Sequence, residues 1–146
     1  MMTAYHHGWK WYQEQTKPIY LREAYPEIPT SRKFPREEIQ TYFGGPQKGS
    51  PGRYFTFTGA WLTALAIMEG FNRIEFWGFR LVDKPVRPHE CYKFERPCFF
   101  YWVQKARDLG IEVTYQSEIE AIPFEPGDPA TYDGALYGYE TSLDIN

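Results

Sequence analysis

"RYFTFTGAWLTALAIMEGFNRIEFWGF" (residues 53–79) is the stretch that decides the fold. Its first part, residues 53–58, is rich in aromatic and β-branched side chains, which predicts a strand. Residues 59–69 are apolar nearly all round, which predicts a helix buried against a sheet, and Gly70 is the expected stop. Residues 73–79 predict a second strand. The order strand, helix, strand is typical of a βαβ unit with parallel strands.

Further elements are predicted on both sides of this unit: a strand at 17–23, a helix at 35–43, a helix at 97–109 and a strand at 111–116. Pro97 suits the first position of its helix. Residues 24–35 contain three prolines and are expected to form a loop. Residues 1–16 are expected to form an aromatic N-terminal arm, with a short helix over residues 3–16 as the alternative. Residues 122–146 are expected to form a tail that lies over the surface. We therefore expect one α/β domain with a small parallel sheet and an extended C-terminal tail.

Composition excludes several classes of protein. The net charge of −3 argues against a general nucleic-acid binder. No apolar run approaches the roughly 20 residues of a membrane span. Cys91 and Cys98 lack paired neighbours that would ligate a metal, so reduced thiols and no metal site are expected. No cofactor is indicated. Aromatic residues make up 19% of the chain, which suits a compact core, a ligand cleft or a subunit interface.

The junction Thr56–Gly59 is the first candidate site. Ligands of parallel sheets bind beyond the carboxyl ends of the strands, and Thr56 and Thr58 occupy such an end. A helix N-terminus adds free N–H groups and a partial positive charge, both of which favour a phosphate or carboxylate. The alternative interpretation is that Thr58 only caps the helix.

The second candidate is "HECYKFERP" (residues 89–97), in a loop that also leaves the carboxyl end of a strand. His89 has the chemistry of a general base, Glu90 that of a hydroxyl acceptor, and Arg96 that of an anion-binding group. The alternative is a solvated charged loop with one internal ion pair.

The order of motifs resembles a group of small Rossmann-like proteins encoded by tailed bacteriophages. The resemblance rests on five motifs and covers roughly residues 17–140: KPIYLREAYPEIPTSRKFPREEI, YFTFTGAWLTALAIMEGFNRIEFWGF, HECYKFERP, ARDLGIEV and LYGYE. More distantly, TGAWLTALAIMEGFNRIEFWGF is similar to the core of bacterial sialyltransferases that use CMP-sialic acid and to Rossmann-like domains of flagellin-glycosylation proteins. There the equivalent strand–helix junction faces the nucleotide.

The resemblance implies a truncated Rossmann-like three-layer domain. The positions of the strand ends and the charges of the 80–96 loop predict one ligand site, an anion pocket formed by Thr56, Thr58, Gly59, Arg80, Glu90, Tyr92 and Arg96. The family tends to place an aspartate where this chain has Arg80. This exchange of an acid for a cation favours binding of a small anionic ligand without catalysis.

Three functions are therefore expected, in this order. The first is a phage protein of the host cytoplasm that binds a nucleotide or sugar nucleotide, for instance to sequester a host signal. The second is a structural virion or assembly component that contacts other virion proteins. The third is a glycosyltransferase-like enzyme with His89 or Glu90 as the catalytic group. A homo-oligomer with the N-terminal arm in its contact is expected in each case.

Overall fold

The structure, a computed structural model, describes residues 8–79, 92–115 and 117–140. The chain divides into two compact units, one ending at Arg36 and the other beginning at Glu37. The described residues form a mixed α/β structure with two parallel two-stranded sheets. The α/β class and the parallel pairing are therefore confirmed, while the three-layer Rossmann-like arrangement and the single domain stay predictions.

The first unit is built on a short parallel pair. Its elements are α1 (Trp9–Gln13), β1 (Ile19–Leu21) and β2 (Ser31–Lys33). Strand β1 lies within its predicted range, whereas β2 lies in the predicted loop 24–35, so that part of the loop prediction is wrong. The Ser31 hydroxyl explains how the connection folds back, because it accepts a hydrogen bond from the Tyr25 amide at 2.8 Å and lies 2.7 Å from the Ile28 carbonyl oxygen.

The second unit contains most of the helices. Its elements, counting the helix that begins at the unit boundary, are α2 (Arg36–Tyr42), a 3-10 turn (Pro51–Arg53), α3 (Thr58–Met68), β3 (Arg73–Glu75), α4 (Tyr92–Asp108), β4 (Glu112–Thr114), α5 (Ser117–Glu120) and a 3-10 turn (Pro129–Thr131). The predicted helices at 35–43, 59–69 and 97–109 and the predicted strands at 73–79 and 111–116 are all present with shifted ends.

The sheet formed by β3 and β4 has one buried face. Ile74 lies opposite Val113 in the parallel register. On the buried face the ring of Phe76 lies 4.9 Å from the ring of Phe99 of α4, centroid to centroid. Helix α4 also packs along α3 and β4. The alternate residues of β3, Arg73 and Glu75, are exposed on the other face.

Residues 53–58 do not form the predicted strand. A 3-10 turn ends at Arg53, and residues 54–57 are irregular and pair with no described strand. Other groups satisfy this backbone: the indole N–H of Trp102 donates to the Tyr54 carbonyl at 2.7 Å, and the Tyr137 amide donates to the Phe55 carbonyl at 3.0 Å. The aromatic residues that predicted a strand instead fill the space between two helices.

A three-ring stack forms the centre of the second unit. The ring of Phe55 is parallel to that of Trp61 of α3, with centroids 3.7 Å apart, and lies 5.0 Å from that of Trp102 of α4. Phe55 and Trp102 are fully buried, and Trp61 is 4% exposed. Large rings bury much apolar area each, so this stack joins α3 and α4 through the irregular segment between them.

The sequence predicted that Pro97 begins α4, and this prediction is wrong. The helix begins five residues earlier, at Tyr92, and Pro97 lies inside it. A proline has no N–H to give to the carbonyl one turn back. The carbonyl of Pro97 accepts a hydrogen bond from the Gly127 amide at 2.9 Å. A side chain at Gly127 would collide with the Tyr54 phenol and the Pro97 ring, so only glycine allows this close approach.

Replacing Trp102 by Phe keeps a ring in the stack but removes the indole donor to the Tyr54 carbonyl, which is left with the Cys98 thiol at 3.4 Å. Because that carbonyl is buried with α4, we expect the free energy of unfolding to fall by about 1–3 kcal/mol in urea titrations. Trp77→Phe is the matched control, since this side chain is 76% exposed, and it should change stability by no more than about 0.5 kcal/mol. Equal losses in both variants would contradict this role of the indole N–H.

Candidate functional site

At the junction Thr56–Gly59, the N-cap residue of the helix is not the one that was predicted. Helix α3 has Phe57 as its N-cap residue, with no side-chain hydrogen bond to the helix. Thr58 is already helical and exposed, so the prediction that Thr58 caps the helix is wrong. Gly59 is buried, and an added Cβ would lie 2.5 Å from the ring of Phe57 and 2.6 Å from that of Phe79. A residue larger than glycine would therefore collide with these two rings at position 59.

Thr56 lines a cleft of about 390 Å³. The cleft lies between the first turns of α4 and the C-terminal segment 132–140, and its chemically distinctive lining residues are Thr56, Phe94, Glu95, Tyr132, Tyr137 and Glu140. The Thr56 hydroxyl donates to the Phe94 carbonyl at 3.3 Å. We call this space the Thr56 cleft.

The C-terminal segment is a fixed wall of the Thr56 cleft. Both terminal guanidinium nitrogens of Arg53 donate to the Glu140 carboxylate, at 2.6 and 3.1 Å. The indole N–H of Trp61 donates to the Tyr137 carbonyl at 3.0 Å. Leu136 is only 3% exposed. The C-terminal segment therefore lies over the surface of the second unit and is held there by specific contacts, with Leu136 buried beneath it.

The Arg53–Glu140 pair is partly shielded from water. The side chains are 12% and 31% exposed. The hydrogen bond to Glu140 is the main cause that raises the pKa of the Arg53 guanidinium, against the opposing effect of burial. The Glu140 carboxylate also accepts the Leu136 amide at 3.1 Å. The pair thus closes the C-terminal segment onto the turn that precedes Tyr54.

The remaining polar groups of the cleft are a carboxyl, phenols and a hydroxyl. Burial raises the pKa of the Glu95 carboxyl. Burial is also the largest cause that raises the pKa of Tyr132 to about 12, so the phenol stays protonated. The positive charge of Arg53 is matched by Glu140. The lining therefore offers a carboxylate, phenols, a hydroxyl and ring faces, which together suit a ring that carries hydroxyl groups.

A second, smaller cleft adjoins the first. Its volume is about 210 Å³, it shares Phe94 and Tyr132 with the Thr56 cleft, and Asp128 and Asp133 add carboxylates to its lining. The Asp128 carboxylate accepts the Ala130 amide at 2.9 Å as the cap of a 3-10 turn. The described surface on this side is therefore acidic and aromatic.

The other predicted site residues are not brought into these clefts. Arg96 is half-buried on the first turns of α4 and lines neither cleft. Thr58 and Gly59 are also absent from the lining of both clefts. Arg80, His89 and Glu90, together with the side chain of Tyr92, lie outside what the structure describes. The anion pocket that joins these residues to the junction stays a prediction.

Sequence reasoning missed most residues of the Thr56 cleft. Glu95 and Tyr137 stand in the motifs HECYKFERP and LYGYE, yet neither was assigned a role. The Arg53–Glu140 pair spans 87 positions, and no spacing rule connects residues so far apart. Tyr132 stands in a segment interpreted as a surface tail.

Cys98 is a free, buried thiol, as predicted. Burial raises its pKa to about 12, which keeps it protonated and unreactive. Cys91 lies outside the described residues. Within the described ranges, no group of three His, Cys, Asp or Glu residues is placed to hold a metal ion, and no helix there has the length and apolar character needed to cross a membrane.

Comparison with known proteins identifies no relative of this chain. The chain matches no protein-family model, and no curated protein and no solved structure matches it at a significant level. The function of this protein is therefore argued from the geometry of the Thr56 cleft.

The first test concerns the wall of the cleft. Glu140→Gln removes the charge that holds Arg53, so we expect a loss of about 1.5–3 kcal/mol in the free energy of unfolding, measured by urea titration. Thr58→Ala is the control, because the exposed hydroxyl caps nothing, and it should cost less than about 0.5 kcal/mol. A larger cost for Thr58→Ala than for Glu140→Gln would contradict both assignments.

The second test uses the pKa of Glu95. A carboxyl whose pKa is raised in the folded state binds more protons folded than unfolded, so the free energy of unfolding falls as pH rises from the ordinary pKa through the raised one. Glu95→Gln removes this dependence. We expect the variant to gain stability relative to the parent as the pH rises above the ordinary glutamate pKa of about 4.3, as measured by thermal unfolding across pH. A constant difference across pH would exclude a raised pKa.

Proposed function

We propose that the Thr56 cleft binds the hydroxyl-bearing ring of a nucleotide-type or sugar-nucleotide ligand. In this proposal the chain is a non-catalytic binder, a phage-encoded protein of the Rossmann-like kind that acts in the host cytoplasm. The observation that carries the proposal is the lining of one cleft by the Glu95 carboxylate, the Thr56 hydroxyl and aromatic rings.

Size supports a small ligand. The Thr56 cleft, at about 390 Å³, lies within the range of about 300–1,000 Å³ that small-molecule sites occupy. Such a volume suits one sugar or nucleoside and leaves no room for a polymer to be enclosed. The phosphates of a nucleotide ligand would then extend out of this cleft.

Chemistry supports a ring with hydroxyl groups. No described residue donates a hydrogen bond to the Glu95 carboxylate, whose pKa is raised by burial. A ligand hydroxyl would supply that donor, and a hydrogen bond to a charged group contributes about 1.5–3 kcal/mol. Phe94 is 56% exposed and lines the cleft, so its ring contributes aromatic surface of the kind that packs against a sugar or a base.

The phosphate part of the ligand is assigned to the predicted anion pocket. Arg80 and Arg96 are the residues proposed to bind it, with Glu90 and Tyr92 on the sugar or base. The described cleft itself does not favour a phosphate, because its carboxylates are negative and Arg53 is engaged by Glu140. The proposal therefore divides the ligand between an acidic, aromatic cleft and a basic loop.

A glycosyltransferase-like enzyme is the second candidate, and one observation favours it. A carboxyl with a raised pKa inside a cleft is a common form of general acid or base, and Glu95 has this property. The hypothesis of a structural virion component expects the protein's own side chains to fill the cleft. A free volume of about 390 Å³ supports binding instead.

Binding is tested by thermal shift and calorimetry with nucleosides, nucleoside monophosphates and sugar nucleotides, since a ligand that binds the folded state raises the melting temperature. Phe94→Ala should weaken binding by about tenfold or more through the lost stacking surface. Phe71→Ala is the matched control, because Phe71 is 54% exposed and lies outside the cleft.

Two results would contradict the proposal. One is the absence of any shift at millimolar concentrations of these compounds. The other is equal affinity of the parent and Phe94→Ala. The enzyme alternative gains support only if incubation with a sugar nucleotide releases free nucleotide in the parent and not in Glu95→Gln.

A further inference from the structure

The outer edge of β3 is open in the described structure. Among the described residues, β4 is the only strand hydrogen-bonded to β3. The backbone groups of Asn72 and Phe76 bond to β4, each at 3.0 Å. Because backbone groups alternate along a strand, the N–H and C=O groups of Arg73 and Glu75 face the opposite edge. Such an edge is a template for another strand.

Four exposed side chains follow this edge on one face. Phe71 is 54% exposed and Trp77 is 76% exposed, the highest value among the exposed large hydrophobic side chains described. Between them lie Arg73 and Glu75, joined by an ion pair of 2.5 Å. The Trp77 indole N–H donates to the Glu75 carboxylate at 3.3 Å. These contacts place Arg73, Glu75 and Trp77 in one row. Phe71 precedes Arg73 by two residues, so the alternation of side chains along an extended chain sets it on the same face, which gives the order ring, cation, anion, ring.

This row is complementary to itself. An antiparallel pairing of two β3 strands centred on Ile74 sets Arg73 opposite the partner's Glu75 and Phe71 opposite the partner's Trp77. The same register makes Arg73 and the partner's Glu75 exchange both backbone hydrogen bonds, which uses the groups that face the open edge. Charge, ring and backbone patterns thus all agree on one register.

We propose that a second copy of this chain pairs with β3 along this edge, forming a two-fold symmetric dimer with a continuous sheet of the order β4, β3, β3, β4. Opposite charges and aromatic pairs directly across an antiparallel ladder stabilise it, and a two-fold axis makes each pair occur twice. Each two-stranded sheet thereby becomes half of a four-stranded sheet. To pair with this edge, another strand would need an anion opposite Arg73 and a cation opposite Glu75. A second, antiparallel copy of β3 already has this order of charges.

The dimer is expected to be concentration-dependent. Pairing along residues 71–77 buries less than the roughly 1,600 Å² of a standard interface. Sedimentation equilibrium of the full chain between about 1 and about 200 µM should therefore show monomer and dimer in exchange. A parent protein that remains monomeric throughout this range overturns the proposal.

The register is tested by exchanging charges. Glu75→Arg places two like-charge pairs across the ladder and should weaken dimerisation by about tenfold or more. The double variant Arg73→Glu, Glu75→Arg restores opposite charges in the same register and should restore the dimer. Both side chains are exposed, so circular dichroism should report an unchanged fold in each variant.

A control separates this surface from the N-terminal arm. Trp11→Ala changes a side chain of the arm that is 41% exposed, and it should leave the dimer intact. Loss of the dimer in Trp11→Ala but not in Glu75→Arg would overturn the β3 interface. A double variant that stays as weak as Glu75→Arg would overturn the proposed register.

Discussion

Phe55 lies flat between the indole rings of Trp61 and Trp102, and the second unit depends on this stack. One tryptophan comes from α3 and the other from α4, so the stack fixes both helices to the segment that precedes α3. Trp102 also donates to the Tyr54 carbonyl. An irregular segment thereby keeps a defined position without a sheet, because its rings are packed and its carbonyls have donors.

The Thr56 cleft follows from this arrangement. Thr56 is the next residue after Phe55, and its hydroxyl reaches the first turn of α4 at the Phe94 carbonyl. The opposite wall is set by the C-terminal segment, which binds through the Tyr137 amide and the Arg53–Glu140 pair. The cleft is therefore a gap between groups that are each fixed elsewhere, and it is lined by the Glu95 carboxyl and the partly exposed ring of Phe94.

Local patterns predicted the elements whose own residues mark them as a helix or a strand. The helix α3 follows from its nearly continuous apolar residues and from Gly70 as a stop, and the parallel pair β3–β4 follows from the order of strands and helices. The strand expected at 53–58 does not form. Aromatic residues favour strands because they pack well on a half-buried surface, and here two helices supply that surface. The helix start at Tyr92 and the Arg53–Glu140 pair depend on distant contacts, which no local pattern contains.

The most direct test of the central claim, that the Thr56 cleft binds a ligand ring, is amide chemical-shift mapping of the full chain during titration with a sugar nucleotide. The account predicts the largest shifts at the amides of Glu95, Tyr137 and Gly138, which belong to the cleft lining. It also predicts smaller shifts at Arg73 and Glu75, which lie on the exposed sheet face. Shifts centred on that sheet face, with none at the cleft amides, would contradict the account.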